Sequence, residues 1–567
     1  MADEIQKVLL QRLPDLQDNG ELLKECVSIC ELYNLEADDL YYKLEVKLFN
    51  SLQRGETRRP LTREDVEAVK SELMASLNSK RARELPRRND IGGIKRNEML
   101  LSMMRRSAHG VSKHTLSQPA RSVLLNAEFK GPSESDREER RYKYMYEKIS
   151  DRSEVLDERI DEFGEMIRGL LDETELSDPS STSEEDVVVV GRICGDAENP
   201  SLKLTDGSVF LESSRMMGAG ARVPLHFSPT VKLRGMNLGV SSITLFPGEI
   251  VALKGRNGGG GTFVVDEILG IPALNVSSEP AHHKGFTMAM TCGPYSKDRK
   301  PDSKEIFLDF SDFKAFLNKM SSLKPSVILL LGPFIDALHP LVKSGDLEQF
   351  PDDIFEEHFR KPIDKFLETS KSTLVLIQPG IRDLLSDHPV FPQRELDIVS
   401  KFENRRNIRT IPNPCRFSIN GVTFGSTSVD VLLHMRNNEF TQRGVATEPL
   451  PLVHPEAGAP DLWTNMCKHL LVQRSFYPIF PAPVELSSDV NLDISHSAGL
   501  RMDPGSEEYA PDVLFLPSKF KQFKKIVDST WAINSSFLSK GKYALLTMQD
   551  TSRENLVKAM NWEIVDL

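Results

Sequence analysis

The sequence predicts a multidomain α+β protein with a small helical domain, a basic tether, a small β-barrel and a large α/β domain. The first observation is length, because 567 residues suffice for about three to five domains. The second is periodicity: apolar residues follow a helical repeat near the N-terminus, alternate in the middle and form continuous runs in the C-terminal half. The third is composition, since 39% hydrophobic and 27% charged residues are typical of globular chains. No stretch approaches the roughly 18 apolar residues of a membrane span.

Residues 1–77 are predicted to form the small helical domain. Leu22, Cys26 and Cys30 share one helix face, and Leu40 and Leu44 share another. Two cysteines four residues apart could be half of a metal site, but no second pair accompanies them, so core packing is favoured. Six scattered cysteines without a Cys-x-x-Cys pair indicate reduced thiols in the cytosol or nucleus.

Residues 78–136 are predicted to be a flexible basic linker, because they lack sustained apolar periodicity. Residues 80–126 carry eleven Lys and Arg against three acidic residues, although the whole chain has a net charge of -12. A negative net charge argues against a protein that binds along nucleic acid without a partner. The cluster Lys80-Arg-Ala-Arg-Glu-Leu-Pro-Arg-Arg88 fits either a solvated tether or a nuclear import signal.

Residues 137–186 are predicted to be a helical segment followed by an acidic loop. An apolar stripe begins at Tyr142, Met145 and Tyr146 and continues through Ile160 and Phe163. The stretch 172–186 then holds seven acidic residues and no basic one. Its serines lie beside acids and could accept phosphate, which would keep the loop extended.

Residues 187–278 are predicted to form a five- to six-stranded barrel of the OB type, because short, glycine-rich strands begin at Val187. The barrel has few aromatic residues for stacking bases, so direct nucleic-acid binding is disfavoured. The run Gly255-Arg-Asn-Gly-Gly-Gly-Gly-Thr262 is not a phosphate loop, since Gly261 stands where the lysine should be. We expect a turn between two strands there.

Residues 279–567 are predicted to form an α/β domain. Buried-type strands such as 286–290, 327–331 and 373–377 are separated by helical segments. In open α/β sheets, function gathers at the carboxyl ends of the strands. These ends read Thr291-Cys-Gly-Pro294, Gly332-Pro-Phe-Ile-Asp336, Gly380-Ile-Arg-Asp383 and Pro517-Ser-Lys-Phe520.

The spacing of these four strand ends resembles that of calcineurin-like phosphoesterases, which hold two metal ions there. The metal ligands of that family are missing: Pro333 replaces a bridging Asp, and Ile381 and Arg382 replace Asn and His. Asp336 and Asp383 remain, and we expect them to cap helices or pair with arginine. The resemblance therefore implies a phosphoesterase fold without catalytic residues, metal or cofactor, with an active metal-dependent phosphoesterase as the alternative.

A barrel followed by an inactivated phosphoesterase domain resembles the B subunits of replicative DNA polymerases, and those of DNA polymerase alpha in particular. Four long motifs carry the resemblance: Phe246-Pro-Gly-Glu-Ile-Val-Ala-Leu-Lys-Gly-Arg-Asn257, the stretch 413–430 from Asn-Pro-Cys-Arg-Phe to Ser-Val-Asp, Gln473-Arg-Ser-Phe-Tyr-Pro-Ile-Phe-Pro481, and Pro511-Asp-Val-Leu-Phe-Leu-Pro517. The likeness extends from about residue 140 to the C-terminus.

The resemblance implies a non-catalytic scaffold in the nuclear primer-making complex. Such a scaffold binds the C-terminal domain of the polymerase catalytic subunit, meets primase through the complex, and docks other replication proteins through its N-terminal domain. Contact with DNA would be weak or indirect. As partner-binding residues we predict Arg474, Phe476, Tyr477 and Pro478, because exposed aromatics carry interface energy; the alternative is that they are core. The B subunit of another replicative polymerase remains a second alternative.

Overall fold

The computed structural model describes two compact units, residues 1–119 and residues 120–567. The described residues are 20–33, 125–171, 175–196, 203–236, 240–259, 261–277, 280–299, 306–448, 461–503 and 509–567, with single positions at 6, 40, 41, 44, 66 and 70. None of the helices within these ranges is long and apolar enough to cross a bilayer.

The N-terminal unit contributes one described helix, α1 (Gly20–Tyr33). Leu22, Cys26 and Cys30 on this helix are buried, each at most 5% exposed. The predicted apolar face is therefore correct for this helix. Among the single described positions, Leu40, Leu44 and Val66 are buried. Apart from α1 and the single positions, the predicted helical domain, and residues 78–124 of the predicted linker, lie outside the described residues.

Residues 125–171, which we call the strap, precede the barrel. They contain β1 (Phe129–Lys130), α2 (Glu134–Glu139) and α3 (Ile149–Leu170). The prediction of linker up to residue 136 is wrong at its end, because β1 pairs with a strand of the α/β domain and Ser133 caps α2 by a capping box with Asp136.

The helical stripe predicted from Tyr142 onward is correct only from α3. Ile160 and Phe163 are buried on this helix, whereas Met145 and Tyr146 precede it and are exposed. Met145 has a φ of 65°, in the left-handed region that interrupts a right-handed helix.

The barrel closes through a long strand that pairs on both edges. Its elements are β2 (Val187–Cys194), β3 (Phe210–Glu212), α4 (Arg215–Gly218), β4 (Arg222–Arg234), β5 (Ser242–Leu245), β6 (Ile250–Arg256) and β7 (Phe263–Leu269). The order is β4-β3-β2-β6-β7, and β4 also pairs with β7, which closes the ring. Alternating side chains such as Val189, Leu211 and Leu253 fill the inside. The glycine-rich stretch joins β6 to β7, as predicted.

The α/β domain contains two six-stranded sheets. Its strands are β8 (Asn275–Val276), β9 (His282–His283), β10 (Phe286–Cys292), β11 (Lys297–Arg299), β12 (Ile306–Asp309), β13 (Val327–Leu331), β14 (Leu374–Gln378), β15 (Ile408–Thr410), β16 (Cys415–Ile419), β17 (Val422–Ser426), β18 (Phe440–Arg443), β19 (Val445–Thr447), β20 (Tyr509–Ala510), β21 (Val513–Phe515), β22 (Phe523–Val527), β23 (Thr530–Asn534), β24 (Lys542–Met548), β25 (Thr551–Ser552) and β26 (Met560–Asp566). Its α-helices are α5 (Ser311–Leu323), α6 (Pro340–Ser344), α7 (Pro351–Phe355), α8 (Lys361–Thr369), α9 (Val431–Asn438), α10 (Leu462–Val472) and α11 (Leu556–Ala559). Short helical turns of other kinds cover 356–360, 399–401, 405–407, 484–486, 494–500, 538–540 and 553–555.

The two sheets stack face to face between two helical layers. One sheet has the order β15-β14-β13-β10-β24-β26 and the other β1-β16-β17-β21-β23-β22. Met288, Leu329 and Phe424 belong to the core between the sheets. Phe313 of α5 belongs to the core on the outer face of the first sheet, and Leu470 of α10 to that of the second. The α/β prediction is confirmed, and β13 and β14 are buried on both faces, as their continuous apolar runs require.

Candidate functional site

The strand ends singled out in the sequence do converge. They surround a cavity of about 30 Å³, large enough for about one or two water molecules. The lining residues are Gly293, Pro333, Gly380, Ile381, Arg382, Ser428, Val429, Asp430, Asp489, Lys519 and Phe537. The loops after six strands, β10, β13, β14, β17, β21 and β23, therefore deliver residues to one small site.

Glycines bring the loops at this site into van der Waals contact. A Cβ atom on Gly293 would lie 2.0 Å from the carbonyl oxygen of Pro333, and one on Gly332 would lie 2.5 Å from the amide nitrogen of Gly380. Both separations are below any real contact distance. The loops thus fill the space that a larger site would leave open.

Arg382 occupies the centre of the charged groups. Its Nη2 donates to Asp336 Oδ2 at 3.0 Å, and its Nη1 donates to Asp489 Oδ1 at 2.8 Å. Lys519 Nζ lies 3.8 Å from the other oxygen of Asp489. The three side chains of the central network are only 10% to 16% exposed. Charge-assisted hydrogen bonds to a permanent cation therefore satisfy both carboxylates.

Asp383 holds a backbone turn. Its carboxylate accepts hydrogen bonds from the amides of Phe334 at 2.8 Å and of Ile335 and Leu385 at 3.4 Å each. Burial raises the pKa of Asp383 to about 7. Asp430 has a comparable role, since it caps α9 through the amide of Leu433, and burial raises its pKa.

The donor set at this site does not fit a divalent metal ion. Asp336 and Asp489 already bind Arg382, and a guanidinium repels a second cation. Among the described residues, no group of three or more His, Cys, Asp or Glu side chains is arranged to hold a metal. Sequence reasoning found Asp336, Arg382 and Asp383 but missed Asp489, which comes from a loop with no strand-end motif.

The residues proposed from the sequence to bind a partner are mostly core. Phe476 and Tyr477 are each 2% exposed, and the Tyr477 hydroxyl forms a hydrogen bond with Nδ1 of His434 at 2.9 Å. Arg474 has a side chain 15% exposed, and Pro478 is half-buried. The expectation that these aromatics are exposed is wrong, because this segment packs into the outer core of the second sheet.

The same segment joins the α/β domain to the barrel. The Phe480 amide donates to the carbonyl of Pro247 at 3.0 Å. The neighbouring Gly248 has a φ of 99°, and a Cβ there would lie 2.2 Å from the Phe480 nitrogen. Phe246 from the barrel is fully buried in the α/β core, with its ring edge-on to His469. The motifs 246–257 and 473–481 are therefore two sides of one interdomain junction.

Polar side chains complete this junction. Gln473 donates to the carbonyl of Ile250 at 2.9 Å and accepts from the Ile250 amide at 3.0 Å. His469 Nδ1 lies 2.9 Å from Glu249 Oε1. The side chain of Gln473 thus pairs with β6 as a neighbouring strand would.

Two consecutive strands of the α/β domain also extend the barrel. Strand β18 pairs antiparallel with β5, and β19 pairs parallel with β4. Arg234 of β4 forms a salt bridge with Glu448 just after β19, at 2.8 Å. Because backbone ladders and core side chains both cross the junction, the barrel and the α/β domain form a continuous structure.

Comparisons with known proteins agree with this architecture. A family model for the B subunit of DNA polymerase alpha/epsilon matches residues 288–525, and one for the OB domain of the DNA polymerase alpha B subunit matches residues 153–271. The second match confirms the OB barrel. A crystal structure from Thermus thermophilus aligns with 50% of this chain and 99% of its own at 11% identity, but its TM-score of 0.21 is too low to establish a shared fold.

Two yeast relatives carry the same description. The DNA polymerase alpha B subunit of Schizosaccharomyces pombe is 32% identical over 561 residues, which cover 92% of either chain. That of Saccharomyces cerevisiae is 29% identical over 466 residues, which cover 73% of this chain and 61% of its own. On this identity and coverage, the chain belongs to the family of DNA polymerase alpha B subunits.

Proposed function

We propose that this chain is the non-catalytic scaffold of a nuclear DNA polymerase alpha–primase complex. It binds the C-terminal domain of the catalytic subunit and so supports RNA–DNA primer synthesis at the initiation of replication. The observation that carries the proposal is the junction, where Phe246 is buried in the α/β core and β18 and β19 extend the barrel.

The fixed arrangement of the barrel and the α/β domain favours binding of a partner that contacts both. A partner that contacts both domains loses less entropy on binding when their relative orientation is already set. A stable protein interface buries about 1,600 Å², which a surface spanning both domains readily offers. The N-terminal unit and its tether would then dock further replication proteins, and primase would join through the catalytic subunit.

The proposal includes a calcineurin-like fold that performs no phosphoesterase reaction. Its support is Arg382, whose guanidinium binds Asp336, one of the two carboxylates retained at the family's ligand positions, together with Asp489. Elemental analysis and a phosphodiester assay with manganese test this part. Stoichiometric metal, together with activity that is lost in Asp336→Ala, would favour the alternative of an active phosphoesterase.

A B subunit of another replicative polymerase is disfavoured by the OB-domain match, whose description names polymerase alpha. Measuring how tightly the full-length chain binds the catalytic subunit of each replicative polymerase separates these alternatives. We expect stable binding to the alpha catalytic subunit.

Chemical cross-linking followed by mass spectrometry tests the composite platform. The probe is the purified C-terminal domain of the alpha catalytic subunit, in complex with the full chain. We expect cross-links to lysines of the barrel, such as Lys232 and Lys254, and also to lysines of the α/β domain, such as Lys525. Cross-links confined to one domain would contradict a composite platform, and the absence of a complex would contradict the function itself.

A further inference from the structure

A large cavity lies between the barrel and the α/β domain, lined by residues of both. Its volume is about 460 Å³, far above that of the strand-end cavity. Small-molecule sites typically have volumes of about 300–1,000 Å³ and often lie where two domains meet. We call this space the interdomain cavity.

Aliphatic side chains of the barrel form one side of the interdomain cavity. Ile243 of β5, Val251 of β6 and Ile268 of β7 line it. Val251 and Ile268 belong to the core of the barrel, and Ile243 packs against that core. Ile271 and Leu274, from the segment that joins β7 to β8, continue the same wall. A ligand in the cavity would therefore meet a mainly apolar surface at one end of the barrel.

This wall is formed without a ligand. The segment between β7 and β8 is fixed at its start, where the Gly270 amide donates to the carbonyl of Arg234 at 2.8 Å. A Cβ on Gly270 would lie 2.4 Å from the carbonyl oxygen of Gly235, so the two chain segments are closely packed. The segment is fixed at its end by the pairing of β8 with β20. The cavity is thus preformed, as most small-molecule sites are.

The α/β domain supplies polar groups to the cavity. Thr464, Lys468 and Val472 line it and recur every four residues, so they share one face of α10. The turn between β22 and β23 adds Asp528 and Ser529. Lys468 Nζ lies 3.6 Å from Asp528 Oδ1, and burial lowers the pKa of Lys468. A few charged groups therefore face a largely apolar space.

The charges of the lining residues favour a cationic ligand, because two carboxylates face one lysine. Glu249 is already satisfied: its Oε1 lies 2.9 Å from His469 Nδ1, and its Oε2 accepts from the Phe246 amide at 3.3 Å. Asp528 Oδ2, by contrast, is buried and has no hydrogen-bond partner among the described residues. A buried carboxylate oxygen without a donor is costly, and a protonated amine would supply that donor.

We propose that the interdomain cavity binds a small molecule with a mainly apolar body and one protonated amine. The amine donates to Asp528, and the body packs against the aliphatic wall of the barrel. A concave space of this volume is typical of small-molecule sites, whereas a protein partner needs contact over a much larger surface. Because both domains line the cavity, the bound molecule also stabilises their junction. The inference goes beyond the proposed function and invokes no partner subunit.

Isothermal titration calorimetry with the full chain at neutral pH tests the inference. The probes are three naphthalene derivatives of similar shape, namely naphthylethylamine, naphthylethanol and naphthylpropionate. They differ in the polar group, which is a cation, a neutral hydroxyl or an anion. We expect the amine to bind at least tenfold more tightly than the carboxylate and severalfold more tightly than the alcohol.

Four variants locate the binding site. Asp528→Asn removes the charge at a φ of 53°, which asparagine tolerates, and should weaken amine binding at least tenfold while the alcohol binds within twofold of its wild-type affinity. Lys468→Met removes the competing cation, so the amine should bind equally well or more tightly. Ala273→Phe, at a lining residue, should fill the space and abolish binding of all three probes. Asp353→Asn, at an exposed residue of α7 that does not line the cavity, is the matched control. Circular dichroism confirms that each variant is folded.

Several results would overturn the inference. If no probe binds the wild-type chain, or if the carboxylate binds as tightly as the amine, the assigned ligand chemistry is wrong. If Asp528→Asn keeps its affinity for the amine, or if Lys468→Met loses it equally, Asp528 does not recognise the amine. Amine binding that survives in Ala273→Phe would place the probe elsewhere. If no probe binds but Ala273→Phe weakens binding of the polymerase alpha catalytic C-terminal domain tenfold, the cavity belongs to a protein interface instead.

Discussion

The strand-end site and the interdomain junction are both packed closely around glycine residues, yet they have opposite characters. At the strand ends, Arg382 neutralises Asp336 and Asp489 within the domain, and close-packed glycines leave a cavity of about 30 Å³. At the junction, Gln473 and Phe480 make their hydrogen bonds to another domain. The comparison indicates that the first region stabilises one domain internally, whereas the second maintains the relation between two.

The largest effect should be the pH dependence that Asp383 gives to the strand-end site. Its pKa of about 7 exceeds the unfolded value of about 3.9, so the folded chain binds the proton more tightly. The contribution of Asp383 to the free energy of unfolding should therefore fall as pH rises from about 4 to about 7, by on the order of 4 kcal/mol in total. Urea titrations at pH 4 and pH 8 measure this change.

Asp383→Asn is the matched variant, since its amide stays neutral at both pH values. We expect the variant to lose less stability than the wild type between pH 4 and pH 8, although it starts lower because it accepts fewer backbone hydrogen bonds. An identical pH dependence in the two proteins would show that the Asp383 carboxyl does not titrate in this range.

The next largest effect should come from the junction, at Gly248. Gly248→Ala places a Cβ 2.2 Å from the Phe480 nitrogen at a φ of 99°, so either the backbone or the interdomain contact must shift. Strain and overpacking together should lower the free energy of unfolding by about 4 kcal/mol. Gly258→Ala is the control, because nothing lies within 4 Å of the position that its added methyl group would take. Equal stabilities of the two variants in urea would contradict close packing at the junction.

At the strand-end site, Arg382→Met should cost about 3 kcal/mol, because two buried carboxylates lose their cation. The further changes Asp336→Asn and Asp489→Asn, made in the same chain, should restore most of that loss, since no uncompensated charge remains. Chemical denaturation at pH 7 measures all three proteins. If the triple variant is no more stable than Arg382→Met, the network is not primarily electrostatic.

The sequence predicted the barrel and the α/β domain well because both depend on local periodicity. Continuous apolar runs indicated the buried strands, and glycine-rich alternation indicated the barrel. The residues that stand at the expected ligand positions 333, 381 and 382 could be read one by one from the sequence. The ion pairs of Arg382 could not be predicted, because Asp489 lies 107 residues away in the sequence and belongs to no local pattern.

The position of aromatic residues was the least predictable feature. Phe476 and Tyr477 were expected on the surface but are buried, whereas Met145 and Tyr146 were assigned to a helix stripe but are exposed. An aromatic residue suits a core and an interface equally well, so its place depends on tertiary contacts. Likewise, β1 pairs with Ile419 and Ser418, and a two-residue strand has too short a pattern to stand out from a linker.

The smallest effect tests whether the junction depends on single hydrogen bonds or on its packing. Gln473→Leu keeps the size of the side chain but leaves the amide and carbonyl of Ile250 without their partner, which should cost about 2 kcal/mol. Gln442→Leu is the control, because the Gln442 side chain donates to the adjacent carbonyl of Arg443 on an exposed part of β18. We expect Gln473→Leu also to increase hydrogen exchange at β6, since the Ile250 amide loses its acceptor. If hydrogen exchange at β6 is unchanged although stability falls as expected, the junction depends on its apolar contacts, mainly that of Phe246, and not on this hydrogen bond.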